Sequence, residues 1–146
     1  MQILLAITVL CTVAMVGTEF TIAMILNPAL DRLDESTWLK TMPVLAKTMG
    51  RAMPIWYALG FVLIGSQTYL RFDTPARWWL LTSAALWAIA ILYSITMLVP
   101  INNRIANAGA GSAPSVMIEH HRWDMLHRWR VVLLVVAAAC LLIGLA

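Results

Sequence analysis

Charge is scarce in this chain. Only 12% of its residues are Asp, Glu, Lys or Arg, while 62% are hydrophobic. A water-soluble domain carries about twice that share of charge and is nearer to half apolar. A freely soluble fold is therefore excluded and an integral membrane protein is expected. Cysteine is also scarce: Cys11 and Cys140 lie in apolar runs and form no CxxC pair. That removes zinc-ribbon and thioredoxin-type chemistry and leaves two small packing residues. No Gly-rich phosphate loop, nucleophile elbow or flavin fingerprint is present. The net charge of +3 is small and spread over connectors, so the bilayer is an expected partner and nucleic acid is not. The N-terminus lacks a basic n-region and an A-x-A-like site, so its apolar run reads as a retained membrane helix.

What remains is long apolar runs. The 146 residues leave room for one domain, with spans expected at about 3–26, 52–70, 77–99 and 127–146. Each suits about 30 Å of hydrocarbon. Asn27-Pro28 is expected to end the first span and Pro100 the third, because the residue before a proline disfavours helix. Between the first two spans, Leu30, Leu33, Trp38, Leu39, Met42, Leu45 and Met49 recur at helical spacing among charges. They predict a separate amphipathic helix, or short helices broken near Pro43, with a solvated connector as the alternative. Pro54 would then sit in the first turn of the second span. Arg71 to Pro75 reads as a turn, and 105–114 as a small-residue loop with Ser115 as N-cap. From Val116 the last helix runs on for about 30 residues, or about 45 Å, so it should extend out of the bilayer. The fold class is all-α, an antiparallel up-down four-helix bundle.

Arg32, Lys40, Lys47 and Arg51 lie in the first connector. Arg104, Arg122, Arg128 and Arg130 lie in the third or just after it, and only Arg71 and Arg77 lie in the second. The positive-inside rule then puts both termini outside and the first and third connectors in the cytoplasm, as in a bacterial inner or plasma membrane. Counting at 1.5 Å per residue from the outer face puts Glu19 at about 27 Å and His127 at about 28 Å. Thr96 and Met53 fall in the same layer, with Asn102, Asn103 and Trp123 just beyond it. A lone glutamate in a membrane helix normally faces a partner or a cavity. Glu19 is thus expected either to pair with His127 or Arg130 as a packing device, or to share a polar chamber with them.

The densest chemistry is His120 to Arg130, HHRWDMLHRWR, which holds all three histidines of the chain. Trp123, His127 and Arg130 share one helix face, and His120, Asp124 and His127 a neighbouring one. His120, Asp124 and His127 with Glu19 opposite could form a two-His-carboxylate set for iron or copper. The same spacing also fits the wet face of an interfacial helix. Met49, Met53 and Met97 lie near the layer but are more often packing than Cu(I) ligands. Without a metal, a carboxylate in low dielectric can still act as a base near neutral pH, and His127 can shuttle a proton. Asn102, Asn103 and Arg130 could hold a carbonyl or a developing phenolate. Tryptophans and Tyr57 could wall a flat aromatic pocket.

The order of these features resembles the anthrone-oxygenase-like family of small four-helix membrane proteins. The resemblance rests on a Glu-bearing first span ending at Asn27-Pro28, a proline heading the second span, and VPINNR closing the third. Its most specific part is P-x-N-N followed about 20 residues later by W-x3-H-x2-R, here Trp123, His127 and Arg130. It implies oxidation of an electron-rich phenolic anthrone to a quinone with O2, and a substrate or oxygen site at Asn103, Trp123, His127 and Arg130. His120 and Asp124 lie outside that motif, and the resemblance leaves open whether iron, copper or no cofactor serves.

Three functions are therefore expected to compete. The first is an oxygenase whose catalytic residues are Glu19, His127, Arg130 and Asn103, with Asn102, Trp123, Thr96, Tyr57 and Met53 holding a hydrophobic small-molecule substrate. The second is a non-catalytic subunit or assembly factor that docks a partner through its Trp/Arg-rich block. The third is a small proton-linked transporter using Glu19. A homo-oligomer is compatible with all three and required by the last.

Overall fold

The computed structural model describes residues 2–107 and 113–146. Among them every regular element is helical. Helix α1 covers Gln2–Leu30, α2 Glu35–Leu70, α3 Arg77–Ala106 and α4 Ala113–Leu145. Half of the expected loop at 105–114, residues 108–112, lies outside the described residues, while Ile105 and Ala106 belong to α3 and Ala113 and Pro114 to α4. Because α4 starts at Ala113, Ser115 lies inside its first turn and is not its cap.

Helices α1, α3 and Ser115–Leu145 of α4 are each long and apolar enough to cross a membrane. The expected second span, 52–70, is the later part of α2. It is less apolar because it carries Tyr57, Ser66, Gln67 and Thr68. The outer surface is apolar, with Ile3, Leu10, Phe20, Leu92 and Val132 exposed, while Thr8, Thr12, Glu19, Gln67, Ser83, His127 and Arg130 are buried. Apolar outside and polar inside is the arrangement a lipid environment selects, since buried polar groups can then bond between helices. On α1 the buried positions Thr8, Thr12, Met15 and Glu19 recur every three or four residues and define one inward stripe.

All four helices meet in one cluster: Met15, Tyr57, Ile64, Leu80, Trp87, Leu134 and Leu141. Interhelical hydrogen bonds lock it. Trp87 Nε1 donates to the Tyr57 carbonyl at 3.1 Å, and Ser83 Oγ to the Ala137 carbonyl at 2.8 Å. A second cluster, Leu30, Trp38, Met42, Ala46, Ile101, Ile105 and Val116, closes the opposite part of the molecule.

The prolines depart from expectation. None of Pro28, Pro43, Pro54 or Pro100 ends a helix. Pro28 and Pro100 each follow a π-helical turn, Ile22–Leu26 and Ser94–Leu98, closed by Asn27 N–H to the Ile22 carbonyl and Val99 N–H to the Ser94 carbonyl. The wider turn makes room for a ring that would otherwise press on the carbonyl four residues back, so the helix continues. Pro43 and Pro54 both lie within α2. The amphipathic segment is therefore continuous with the second span and is not a separate helix broken at Pro43, and Pro54 is far from any first turn. Buried Trp38, Met42 and Ala46, four apart, hold α2 against the second cluster on both sides of Pro43, which offsets the lost backbone bond. Asp34 starts α2 by accepting from Thr37 N–H at 3.1 Å and Ser36 Oγ at 2.6 Å. Those hydrogen bonds hold its carboxyl well below the usual carboxylate range. The cap is therefore complete above the ordinary aspartate pKa and is lost only in strong acid.

Gly60 has the closest approach among the described glycines. A Cβ there would lie 2.5 Å from Cζ2 of fully buried Trp87, whereas one on Gly65 would meet nothing within 4 Å. Gly60→Ala should destabilise by about 1–3 kcal/mol. Gly65→Ala should stabilise by about 0.5–1 kcal/mol. Thermal unfolding in detergent of the two variants against the wild type reads both.

Candidate functional site

Each helix brings one or more polar side chains to a single buried cluster. Glu19 comes from α1, Tyr57 from α2, Ser94 from α3, and His127 and Arg130 from α4. Tyr57 Oη donates to Glu19 Oε1 at 2.9 Å, and Arg130 Nη2 to Glu19 Oε2 at 2.7 Å. Arg130 Nη1 donates to Ser94 Oγ at 3.1 Å, which itself donates to the Ala90 carbonyl at 2.7 Å. The Arg130 guanidinium also lies 5.4 Å from the centre of the Tyr57 ring. Glu19 and His127 are fully buried and Arg130 is 7% exposed. The pair is held in a dry setting, where each partner depends on the other's charge and on the surrounding hydrogen bonds.

The protonation pattern of His127 follows from its partners. Arg130 can only donate, and its Nη2 lies 2.8 Å from His127 Nδ1. The Glu19 backbone carbonyl can only accept, and it lies 3.2 Å from His127 Nε2. Nδ1 therefore accepts and Nε2–H donates, which is the neutral tautomer. Nδ1 is also 3.3 Å from Glu19 Oε2, but without a proton that approach is no ion pair. The ring is stacked on Trp123, with centres 4.6 Å apart and planes 11° apart.

The cluster stands at one end of a cavity of about 320 Å³, at the small end of the range for small-molecule sites. Its walls are mainly apolar, with Met42, Leu45, Met49, Met53, Ile91, Ile95 and Leu98 among them, and Trp123 forms one side. From His120 to Arg130 it follows α4 for about 15 Å at 1.5 Å per residue. Arg130 Nε is buried and has no hydrogen-bond partner among the described residues. It is an open donor from a residue that lines the cavity.

The structure thus gathers Glu19, His127, Arg130 and Tyr57, with Met53 and Trp123 on the cavity wall. Asn102 and Asn103 also line it. Asn102 Nδ2 donates to the Ala46 carbonyl at 3.0 Å, while Asn103 is exposed. Thr96 does not join them. It is exposed and donates to its own helix at Leu92, because a depth count fixes a level along a helix but not the face, and here Ser94 has the inward one. Ser94 and Asn27 were not anticipated. Each is a small polar side chain at the edge of an apolar run, Ser94 opening one π turn and Asn27 capping the other.

The four candidate metal ligands are not grouped. Among the described residues no three His, Cys, Asp or Glu side chains converge. Glu19 is taken by Arg130 and Tyr57. His120 packs edge-on against Trp38 at 5.3 Å. Asp124 accepts from Asn27 Nδ2 and pairs with Arg128 at 2.9 Å. His120, Asp124 and His127 therefore point to three different partners, and the iron or copper set drawn from their spacing does not assemble.

A helical membrane protein with an acid–arginine cluster at the end of an apolar cavity is the class this geometry defines. The chain belongs to the anthrone oxygenase family, which it matches over residues 38–140. No curated protein and no solved structure matches it. The family match takes in Tyr57, Asn102, Asn103, Trp123, His127 and Arg130. It begins after α1, so Glu19 and Asn27 lie outside it.

Arg130→Met leaves the Glu19 carboxylate buried and unpaired, and should cost about 3–5 kcal/mol. The double variant Glu19→Gln, Arg130→Met should recover a large part of that loss. Denaturation of the three proteins in the same detergent measures the coupling.

Proposed function

We propose that the protein is a membrane-bound oxygenase that converts a hydrophobic, electron-rich aromatic of the anthrone or quinol type to a quinone with O2. The observation that carries this reading is the placement of the Glu19–Tyr57–Arg130–Ser94 cluster at the end of an apolar cavity. Membership of the anthrone oxygenase family supports it.

In this reading an anthrone lies flat against Trp123, with its carbonyl oxygen toward Arg130 Nε. Glu19, whose two oxygens offer about four acceptor positions and use two of them, removes a proton from the ring CH2 carbon. The electrons pass into the ring system, and the new oxyanion is stabilised by Arg130. The carbanion-like carbon is oxidised by O2, which adds there as a hydroperoxide after the proton is returned. Loss of water, made from the outer oxygen and the remaining C–H proton, leaves the second carbonyl. One anthrone and one O2 give one quinone and one water. His127 is a positioning residue, since it holds Arg130 Nη2 and the Glu19 backbone. Asn103 guards the cavity rim.

The site belongs near the cytoplasmic side of a bacterial inner or plasma membrane. The chain would cross four times as an antiparallel bundle, with both termini outside. That orientation rests on the arginine and lysine distribution between the connectors.

Purified protein should consume one O2 per anthrone, and the rate should fall about 10²–10⁴-fold in Glu19→Gln, the usual range for loss of a general base. His127→Ala should also be slower, because Arg130 loses a brace. An oxygen electrode with anthrone as substrate reads both; a His127→Ala rate equal to wild type removes His127 from the mechanism.

A further inference from the structure

The cavity has a second polar end, and the oxidation chemistry does not use it. His120 lines the cavity about three turns before Arg130 on α4. It is fully buried, and among the described residues neither ring nitrogen has a hydrogen-bond partner. Asp31 Oδ1 lies 3.4 Å from Nε2, close enough to favour the proton on Nε2 but outside hydrogen-bond geometry. Nδ1 is then left as an acceptor. An imidazole buried without a partner is costly, and a group on a bound molecule would relieve that cost.

The neighbours of His120 have the same character. Asn27 and Asn102 also line the cavity. Asn27 Nδ2 donates to Asp124 Oδ1, and Asn102 Nδ2 to the Ala46 carbonyl. Both partners are acceptors, which fixes the orientation of each amide and leaves its carbonyl oxygen available. This end therefore offers acceptors from α1, α3 and α4. Arg130, at the opposite end, is the one cation among the cavity residues described.

We infer that His120, Asn27 and Asn102 form a recognition pole that accepts a hydrogen bond from a donor group on the ring farthest from Glu19. The matching group is a ring hydroxyl. A carboxylate meets only the second N–H of each amide and the Nε2–H facing Asp31, and it would stand beside the carboxylates of Asp31 and Asp124, which repel it. The pole orients the substrate: its donor end is held near Trp38, and its reactive carbon is directed to Glu19. This inference rests on the oxygenase reading for the identity of the reactive end, but the pole itself is tested by binding alone.

Three unreactive quinones serve as probes of the detergent-solubilised protein: anthraquinone, 2-hydroxyanthraquinone and anthraquinone-2-carboxylate. Quenching of tryptophan fluorescence reports occupancy beside Trp123. The hydroxy compound should bind about tenfold more tightly than anthraquinone, the worth of one good buried hydrogen bond, and the carboxylate no more tightly than anthraquinone. His120→Leu and Asn102→Leu should each shrink the ratio between the hydroxy and plain compounds, and two variants guard against one that fails to fold. Equal affinity of wild type for the hydroxy and plain compounds overturns the pole while leaving the oxygenase reading intact. Tightest binding of the carboxylate also overturns it. Failure of all three to bind overturns both.

Discussion

The bond between Glu19 and Arg130 is the constraint on which the rest of the structure depends. It joins the first helix to the last across 111 positions of sequence. Removing a carboxylate and a guanidinium from water costs several kcal/mol per ion, and their attraction offsets this only when the remaining lone pairs and protons are also satisfied. Tyr57 from α2, Ser94 from α3 and His127 from α4 supply most of those bonds, and among the described residues Arg130 Nε is left open at the cavity. The polar centre thus requires all four helices to be in register at one level. The apolar cluster around Trp87 fills the space beside it but, being non-directional, would tolerate slippage that the polar cluster does not.

Proline gives that register its shape. Two π turns stand immediately before Pro28 and Pro100, on α1 and α3, and both border the cavity through Ile22, Leu26, Ser94, Ile95 and Leu98. A π turn adds a residue to one helical loop and rotates the helix beyond it. Pro54 withholds an N–H from the Gly50 carbonyl, and both residues line the same space. Two of the helices thus widen into π turns, and a third lacks one backbone donor, where the cavity lies. Irregular backbone at membrane depth is tolerated where it faces protein or a cavity and not lipid.

Much of this was legible in the sequence, for identifiable reasons. The apolar runs and the isolated Glu19 carry strong signals because lipid penalises charge, and counting at a fixed rise per residue brought Glu19 and His127 to one depth. The same count failed for Thr96, because depth carries no information on which way a side chain faces across a π turn. Local rules overstated the prolines: each disfavours a helix in isolation, but α2 continues through Pro43, where Trp38, Met42 and Ala46 pack on the second cluster. The metal set failed for a related reason. Spacing put His120, Asp124 and His127 on adjoining faces of one helix, but the partners were decided by other helices: Trp38 and Asp31 for His120, Asn27 for Asp124, and Glu19 for His127. Tyr57 was expected as a wall; it lines the cavity and also donates to Glu19, which only the α1–α2 contact could reveal.

The central claim is that Glu19 removes a proton from the ring carbon of an anthrone held in this cavity. Exchange of that C–H with deuterium tests it without O2 and without turnover. Anthrone in deuterated buffer, under anaerobic conditions, would be followed by NMR with wild-type protein, with Glu19→Gln, and with detergent alone. The account predicts exchange by the wild type well above the detergent rate, and exchange by Glu19→Gln reduced to that rate. Wild-type exchange no faster than detergent, or equal exchange by the two proteins, would contradict it.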